Sequence, residues 1–428
     1  MASTMFIMTE PVTEAGKPQS MARFWVVFAG QAFSLFGSRL VQFTLVWWLT
    51  QESGSASVLA LASIMALLPQ VIVGPFAGSL VDRWSRRILL IVSDGMIALA
   101  IVFLALLYSW GIVEIWHVYA LMLFRALLGA FQWPAFQAST SLMVPKEQLS
   151  RVAGFNQSLQ GLVSILAPPL GALLFDVLPI EYILAIDVAT AFFAIGPLLF
   201  VTIPQPPRAP DAEGGWRSVL ADMREGMRFV WDWKGLRFIM GMSMIINLVI
   251  TPGFSLLPSV VTVHFGGGAI ELAYLQSAGG IGMIAGGLLL GVWGGFKNRM
   301  TTAFSALAVG GLFIVLFGFV PGSMLLLAVA AFFLFSALNS MANGTFFAAM
   351  QAAIPPEMQG RVFTLLMSFS ALMAPLGLAI AGPVADIIGA MTWFILGGAT
   401  LTLMGVLGFF IPAIMNLEKD APNAAPEE

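Results

Sequence analysis

The chain has 428 residues, of which 59% are hydrophobic and 10% are charged, whereas soluble domains carry about 25% charged residues. Its lack of cysteine excludes disulfides and thiolate metal sites. Only two histidines, His117 and His264, are present, and they lie far apart in sequence, which disfavours a histidine metal cluster. We therefore expect a protein solvated mainly by lipid and without a metal site.

The first half of the chain contains six apolar segments, each long enough to cross a bilayer as a helix of about 20 residues. Residues 1–22 precede them as a polar tail that shows no cleavable signal pattern. The segments are predicted near 24–49, 57–81, 87–110, 115–144, 149–177 and 181–203. Residues 23–203 are thus predicted to form a bundle of six helices.

A polar linker, residues 204–235, separates this bundle from six further spans. Apolar residues recur at helical spacing from Trp216 to Trp231, which predicts an amphipathic helix on the membrane surface or a simple tether. The later spans are predicted near 236–264, 270–294, 300–320, 323–353, 359–386 and 391–415. They form a second bundle, 236–415, followed by an acidic tail, 416–428.

The distribution of basic residues predicts the orientation in the membrane. Every Lys and Arg except Arg39 and Arg125 falls in the tails, the linker or the loops on one side. The loops on the other side carry acids such as Glu52 and Glu181 and no basic residue. Positively charged loops stay in the cytoplasm. Both termini are therefore predicted to be cytoplasmic, in a multi-pass protein of a bacterial inner membrane.

The two halves echo each other at a spacing of about half the chain. The segment from Val144 to Val152 precedes the fifth span, and the segment from Ile354 to Val362 precedes the eleventh. They share a proline, a glutamate, an arginine and a valine at matching positions. This repeat predicts two pseudo-symmetric six-helix bundles with a binding site between them.

The loop after the second span carries a recognisable motif. It runs Gly78-Ser-Leu-Val-Asp82-Arg83-Trp-Ser-Arg86-Arg87, and it resembles motif A of the major facilitator superfamily. Arg125-Ala-Leu-Leu-Gly129 resembles the drug-exporter motif B, although Leu128 stands where the motif has glutamine. Segments such as Ala185-Ile-Asp-Val188 and Gln359-Gly-Arg-Val-Phe363 resemble, more narrowly, the macrolide-efflux branch of the proton-coupled drug exporters.

This resemblance implies an all-α integral membrane fold of twelve helices and a transporter rather than an enzyme. It implies export of lipophilic or amphiphilic, macrolide-like drugs by proton antiport and alternating access. The proton gradient would then supply the energy, without a cofactor. The implied partners are the bilayer, a small lipophilic substrate and protons, not nucleic acid. An ATP-binding partner protein is compatible but not required, and we expect a monomer.

The resemblance also gives the motif A residues a role. Asp82 would latch the inner end of the second span onto the other half, together with Gly78, Arg83, Arg86 and Arg87. A carboxylate adds nothing to positive-inside orientation, which favours the latch over a pure topology signal. Helix termini and arginines are the natural partners of such a carboxylate.

Proton coupling needs an ionisable group inside the membrane, where a charge costs roughly 2.5–3.5 kcal/mol. Asp187 is predicted to be the deep carboxylate, paired with Arg125 or with Arg39. Asp94 is expected near the inner end of the third span, shallow enough to be wetted. The alternative to a coupling role for Asp187 is a static ion pair that cancels two embedded charges.

Polar and aromatic side chains recur on one face of several spans, which predicts that these faces line a cavity rather than contact lipid. Ordinary interhelical hydrogen bonding is the alternative interpretation. The candidate cavity residues are Gln31, Ser34, Ser38, Gln42, Gln132, Phe136, Asn247, Phe254, Asn339, Asn343 and Phe347.

Two other functions stay open at this point. A lysophospholipid or siderophore transporter of the same superfamily would carry the same motif and span count. A non-transporting membrane scaffold belongs to a different class. Sequence motifs for nucleotide-binding loops and serine-hydrolase elbows do not occur, which disfavours enzymes.

Overall fold

A computed structural model describes residues 21–81, 84–145, 148–203 and 216–418 of the chain. Six long helices make up the first half. They are α1 (Met21–Ser53), α2 (Ala56–Val81), α3 (Arg86–Ser109), α4 (Ile115–Met143), α5 (Leu149–Val177) and α6 (Ile180–Phe200).

The linker helix α7 (Trp216–Asp232) leads into the second half. The helices that follow are α8 (Lys234–Ser255), α9 (Leu257–Val263), α10 (Ala269–Trp293), α11 (Arg299–Phe319), α12 (Leu325–Ala353), α13 (Pro356–Ile388), α14 (Met391–Phe409) and α15 (Pro412–Met415). In the part of the chain that the structure describes, 12 helices are long and apolar enough to span a membrane. The all-α, twelve-span fold class is confirmed.

The seventh predicted span, 236–264, is broken into α8 and α9 at Leu256. Pro258 lies in the first turn of α9, where its missing N–H removes no helical hydrogen bond. The twelfth predicted span likewise ends early, at Phe409, and the short helix α15 starts with Pro412. Hydropathy alone merges the segments on either side of such a break.

Two ends of the molecule are named here for later use. The linker end is the end at which α7 and the α2–α3 connection lie, and the far end holds the α1–α2 turn at Gly54. At the far end one hydrophobic core joins both halves, because Leu45 and Leu59 pack in the same cluster as Val260 and Leu378. The bundles are therefore in contact at the far end.

At the linker end the described apolar residues form two separate cores. One contains residues of the first half alone, including Phe24 and Leu90. The other contains residues of α7 and the second half, including Val230 and Met350. The two bundles therefore join at the far end and have independent cores at the linker end.

The most extensive contacts between the halves are those of α2 with α13 and of α5 with α10, while α2 also contacts α7 and α8, and α1 contacts α9. Between α5 and α10, the Ser277 hydroxyl donates a 2.9 Å hydrogen bond to the Ile165 carbonyl. Gly280 of α10 is packed so closely on Ile165 that a Cβ there would clash with it. Gly286 on the same helix instead meets the Ala337 backbone of α12, so it tightens the second bundle.

The linker helix is docked on protein. Its Glu225 pairs with Arg361 at the start of α13, with 2.8 Å between carboxylate and guanidinium. Gly226 is buried, and a Cβ there would meet Leu365 and Arg361. Val230 is part of the second bundle's core. The helix predicted in the linker is therefore attached to the second bundle, which the tether interpretation did not include.

Candidate functional site

The interfacial cavity is a space of about 730 Å³ that side chains of both halves enclose. The first half contributes residues of α1 and α5, such as Gln42 and Val163, and the second half contributes the rest of the described lining. Towards the linker end the lining reaches Ile239, only five residues after the start of α8. A volume of roughly 300–1,000 Å³ is typical of sites for small ligands.

Aromatic rings form one wall of this cavity. Phe254 of α8 stacks on Phe335 of α12 at 5.5 Å between ring centroids and meets Phe332 edge-on at 5.5 Å. Such pairs hold large apolar surfaces in fixed orientations. The wall therefore offers rigid apolar contact area to a ligand.

Amide side chains lie beside this aromatic wall. Asn247, Asn339 and Asn343 line the cavity, and Asn247 and Asn343 donate to carbonyls one turn earlier on their own helices. Among the described residues of the lining, Arg39 is the one charged side chain. The interfacial cavity is consequently apolar with a few neutral polar groups.

The polar cavity, of about 560 Å³, is lined by the first bundle except for Ser255 of α8, among the described residues. Its lining holds Asp94, Asp187, Arg125 and Arg39. It shares Arg39, Gln42 and Val46 of α1 with the interfacial cavity, so the two spaces adjoin along this helix. These four ionisable groups thus lie beside the interfacial cavity, and of the four only Arg39 also lines it.

Asp187 of α6 is buried and faces Arg125 of α4, with 3.5 Å between Oδ2 and Nη2. Ser38 of α1 donates a 3.2 Å hydrogen bond to the other carboxylate oxygen, and its own carbonyl accepts from Arg125. Charge-assisted hydrogen bonds are normally shorter, about 2.7–2.9 Å, so the contact between Arg125 and Asp187 is an ion pair without a direct hydrogen bond. Of the two partners considered from sequence, the structure brings Arg125 to Asp187, while Arg39 is exposed to both cavities.

Asp94 of α3 corrects the sequence-based expectation of a shallow, wetted carboxylate. Its exposed fraction is 3%. Gln31 of α1 donates to Oδ2 at 3.0 Å, and Gln132 of α4 donates to Oδ1 at 2.5 Å. Asp187 is therefore not the sole deep carboxylate. The sequence marked Gln31 and Gln132 as inward-facing polar residues, but it did not show that both contact Asp94.

The motif A loop is described in part. Asp82 and Arg83 lie outside the described residues, and Gly78 is within α2. Arg86 donates to the Ala138 carbonyl of α4 at 3.1 Å. Arg87 donates to the last carbonyls of α6, at 2.5 Å from Leu198 and 2.6 Å from Leu199. These bonds brace the first bundle, where the cationic side chain also suits the helix C-terminus.

The remaining candidates divide between the two cavities. Ser34, Ser38 and Phe136 line the polar cavity, together with Gln31 and Gln132. Phe347 does not appear among the described residues of either lining. Its ring packs on Phe363 of α13 at 5.7 Å, and the neighbouring Phe346 reaches the interfacial cavity in its place.

Comparisons with known proteins agree with this architecture. A family model described as Major Facilitator Superfamily matches residues 27–378. Macrolide efflux protein A of Streptococcus pyogenes is 32% identical over 396 residues, which covers 92% of this chain and 97% of that protein. The multidrug efflux pump Tap of Mycolicibacterium fortuitum is 27% identical over 389 residues, covering 87% and 91%.

Two solved structures share the fold at low sequence identity. The nucleoside transporter NupG superimposes with a TM-score of 0.62 at 15% identity, covering 89% of this chain and 98% of that chain. A POT family transporter in complex with a thioalcohol-conjugated peptide gives a TM-score of 0.70 at 11% identity, covering 91% and 96%.

Proposed function

Because the chain belongs to the major facilitator superfamily and is a multi-pass transporter, we propose that it exports lipophilic or amphiphilic drugs, macrolide-like compounds among them, in exchange for protons. The observation that carries this proposal is the adjoining pair of cavities. One is large, apolar and shared by the two bundles, and the other concentrates the buried ionisable groups.

The interfacial cavity suits a bulky amphiphile. A phenylalanine wall supplies contact area, while scattered amides supply a few hydrogen-bonding groups without demanding one geometry. Sites built for small polar substrates instead surround them with convergent charged groups. The names of the relatives, a macrolide efflux protein and a multidrug efflux pump, support the same substrate class.

The polar cavity supplies the groups that proton exchange requires. Asp94 and Asp187 can bind a proton, and Arg125 and Arg39 set the charge around them. These groups lie beside the substrate space along α1, so the charge state of one cavity influences the other. A proton gradient is then sufficient to drive export, with the chain acting as a monomer.

We further propose that the linker end faces the cytoplasm of a bacterium whose plasma membrane holds the protein. The segregation of Lys and Arg to the tails, the linker and the loops of that end supports this orientation. The conformation described, joined at the far end and with separate cores at the linker end, would then receive drug from the cytoplasm.

Expression of this chain in a bacterium that lacks its own drug pumps tests the proposal. We expect higher minimum inhibitory concentrations for macrolides and other lipophilic drugs than with an empty vector, and loss of this protection when a protonophore is added. No protection against any lipophilic drug would overturn the proposal. Lysophospholipid or siderophore transport by the same cells would then identify the alternative function.

A further inference from the structure

The two buried carboxylates of the first bundle are held in parallel ways by the same two helices. On α1, Gln31 bonds to Asp94 and Ser38 bonds to Asp187. On α4, Gln132 bonds to Asp94 and Arg125 pairs with Asp187. In each helix the two polar residues are seven positions apart, which places them on one face about 10 Å apart along the axis.

These contacts follow an inverted repeat within the bundle. Gln31 and Arg125 are separated by 94 residues, as are Ser38 and Gln132, and Asp94 and Asp187 are separated by 93. The helices α1 and α4 run in opposite directions, and so do α3 and α6. If α1–α3 are superimposed on α4–α6, Gln31 therefore corresponds to Arg125 and Asp94 corresponds to Asp187. The Asp94 site and the Asp187 site are thus equivalent positions in the two repeats. Nested inverted repeats of this kind occur in transporters.

The repeat places the two sites at different depths. Asp94 is nine positions into α3 counted from the linker end, whereas Asp187 is eight positions into α6 counted from the far end. The Asp94 site is accordingly the one nearer to the linker end, where the two bundles have separate cores.

The two sites differ in the chemistry of their partners. The guanidinium of Arg125 can only donate hydrogen bonds, and it stays charged in proteins. Protonation of Asp187 would leave this cation buried without its counter-charge, which is costly. The amides of Gln31 and Gln132 can donate or accept, so after rotation they can accept a hydrogen bond from a neutral Asp94. The Asp94 site is thus suited to both the ionised and the neutral form of this carboxyl group.

The charge balance in the polar cavity also favours Asp94 as the group that changes its protonation state. Among the described residues, the ionisable groups that face Asp94 are Asp187 from α6, Arg125 from α4 and Arg39 from α1. With both carboxylates ionised, these four side chains are neutral in sum, and a proton on Asp94 leaves one net positive charge. A cationic substrate in the adjoining cavity is then repelled more strongly. Binding of a proton to Asp94 and binding of a cationic substrate therefore disfavour each other, as exchange requires.

We propose that Asp94 is the proton-binding carboxylate of the transport cycle and that the Asp187–Arg125 pair remains ionised throughout. A proton adds to one carboxylate oxygen of Asp94 in one conformation and leaves it in the other. No other bond changes. This inference rests on the proposed drug–proton exchange and assigns the exchange to a residue.

The test uses the full chain in proteoliposomes with two readouts: proton movement driven by a drug gradient, and exchange of labelled for unlabelled drug, which needs no proton. For Asp94→Asn we expect proton movement to be lost and drug exchange to be retained at saturating drug, with weaker apparent affinity for a cationic drug because this variant keeps the net positive charge of the protonated site. Asp94→Glu should restore proton movement. The control Asp176→Asn changes an exposed carboxylate at the far end of α5 and should leave both readouts at the wild-type level.

Wild-type proton movement by Asp94→Asn would overturn the inference, as would loss of drug exchange together with proton movement. If that variant is not recovered in folded form, Gln132→Arg gives Asp94 the fixed ion pair that Asp187 has. It should then abolish proton movement while drug exchange continues at saturating drug, and normal proton movement would again overturn the inference. Wild-type vesicles that exchange no drug would instead contradict the proposed function itself.

Discussion

The Asp386 carboxylate, close to the end of α13, accepts a 2.6 Å hydrogen bond from the backbone amide of Ala56, the first residue of α2. The amide and hydroxyl of Ser57 and the hydroxyl of Ser55 donate to the same carboxylate. A carboxylate suits a helix N-terminus, because the first amides have no partner within the helix and the dipole is positive there. One side chain of the second half thereby fastens the first half at the far end.

Removal of this contact is expected to favour opening of the far end. Asp386→Ala removes four hydrogen bonds from an exposed position, so we expect a shift of about tenfold, or ~1.4 kcal/mol, towards the open state. The chain has no cysteine, so spin labels can be attached at Gln51→Cys and Ile387→Cys without removing a native thiol. Pulsed electron resonance should then show a larger population of long distances. Asp176→Ala serves as the control, and an unchanged distribution in Asp386→Ala would refute a closing role.

The Asp187–Arg125 pair predicts a characteristic pattern in stability. Arg125→Leu leaves a buried carboxylate without its counter-charge, which we expect to cost about 3–5 kcal/mol. Changing both residues to leucine should recover most of this loss, because two well-packed apolar side chains replace the pair. Thermal unfolding of the purified variants measures the effect. Equal destabilisation of the single and double variants would show that the pair does not cancel two embedded charges.

The same variants separate a static pair from a coupling pair. If the charges only cancel, the double leucine variant should keep drug-driven proton movement in proteoliposomes. Asp187→Asn with unchanged proton stoichiometry and normal transport would likewise remove this residue from the coupling step. Because we assign proton binding to Asp94, we expect both results.

Asn343→Trp tests whether drugs occupy the interfacial cavity. Asn343 lines this cavity with an exposed side chain, so an indole there reduces the space without entering a packed core. We expect export of macrolide-sized drugs to fall by about tenfold, within the range that pocket changes produce, while small dyes are still exported. The control Leu326→Trp introduces the same side chain on α12 at a position that is 80% exposed. Equal losses for large and small compounds would argue against a steric effect in the cavity.

Docking of the linker helix depends on Gly226. A side chain at this position would meet Leu365 and the Arg361 backbone, so Gly226→Leu should detach α7 from α13. We expect limited proteolysis to cut the linker at least several times faster than in the wild type. Arg224→Leu, at an exposed position two residues earlier, is the matched control. Equal cleavage rates in all three proteins would contradict the docked arrangement.

The twelve spans were predictable because the hydrocarbon core sets a minimum length of apolar helix that few soluble segments reach. The break at Leu256 was less accessible, since both sides of it are apolar and the signal is confined to the prolines at 252 and 258. Hydropathy averages composition over a window, whereas a helix break depends on where individual prolines fall.

The candidate site was predictable in its residue types and less so in its pairings. Arg125 and Arg39 both lie inside spans, and the choice between them for Asp187 depends on how α1, α4 and α6 are rotated against one another. Depth along one helix cannot give that rotation. Asp94 was misjudged for a related reason, because its burial comes from Gln31 and Gln132 on two other helices. Such contacts are a property of the packed bundle.

Arg39 stands where the two cavities meet and is exposed to both. A compound with a broad aromatic body and a short anionic arm could place the body against the Phe254 wall and the arm on this guanidinium. Because the arm adds negative charge near the two carboxylates, it would favour the protonated form of Asp94 and hold the transport cycle in that state. The shared arginine thus specifies the chemistry of an efflux inhibitor, distinct from that of the drugs being exported.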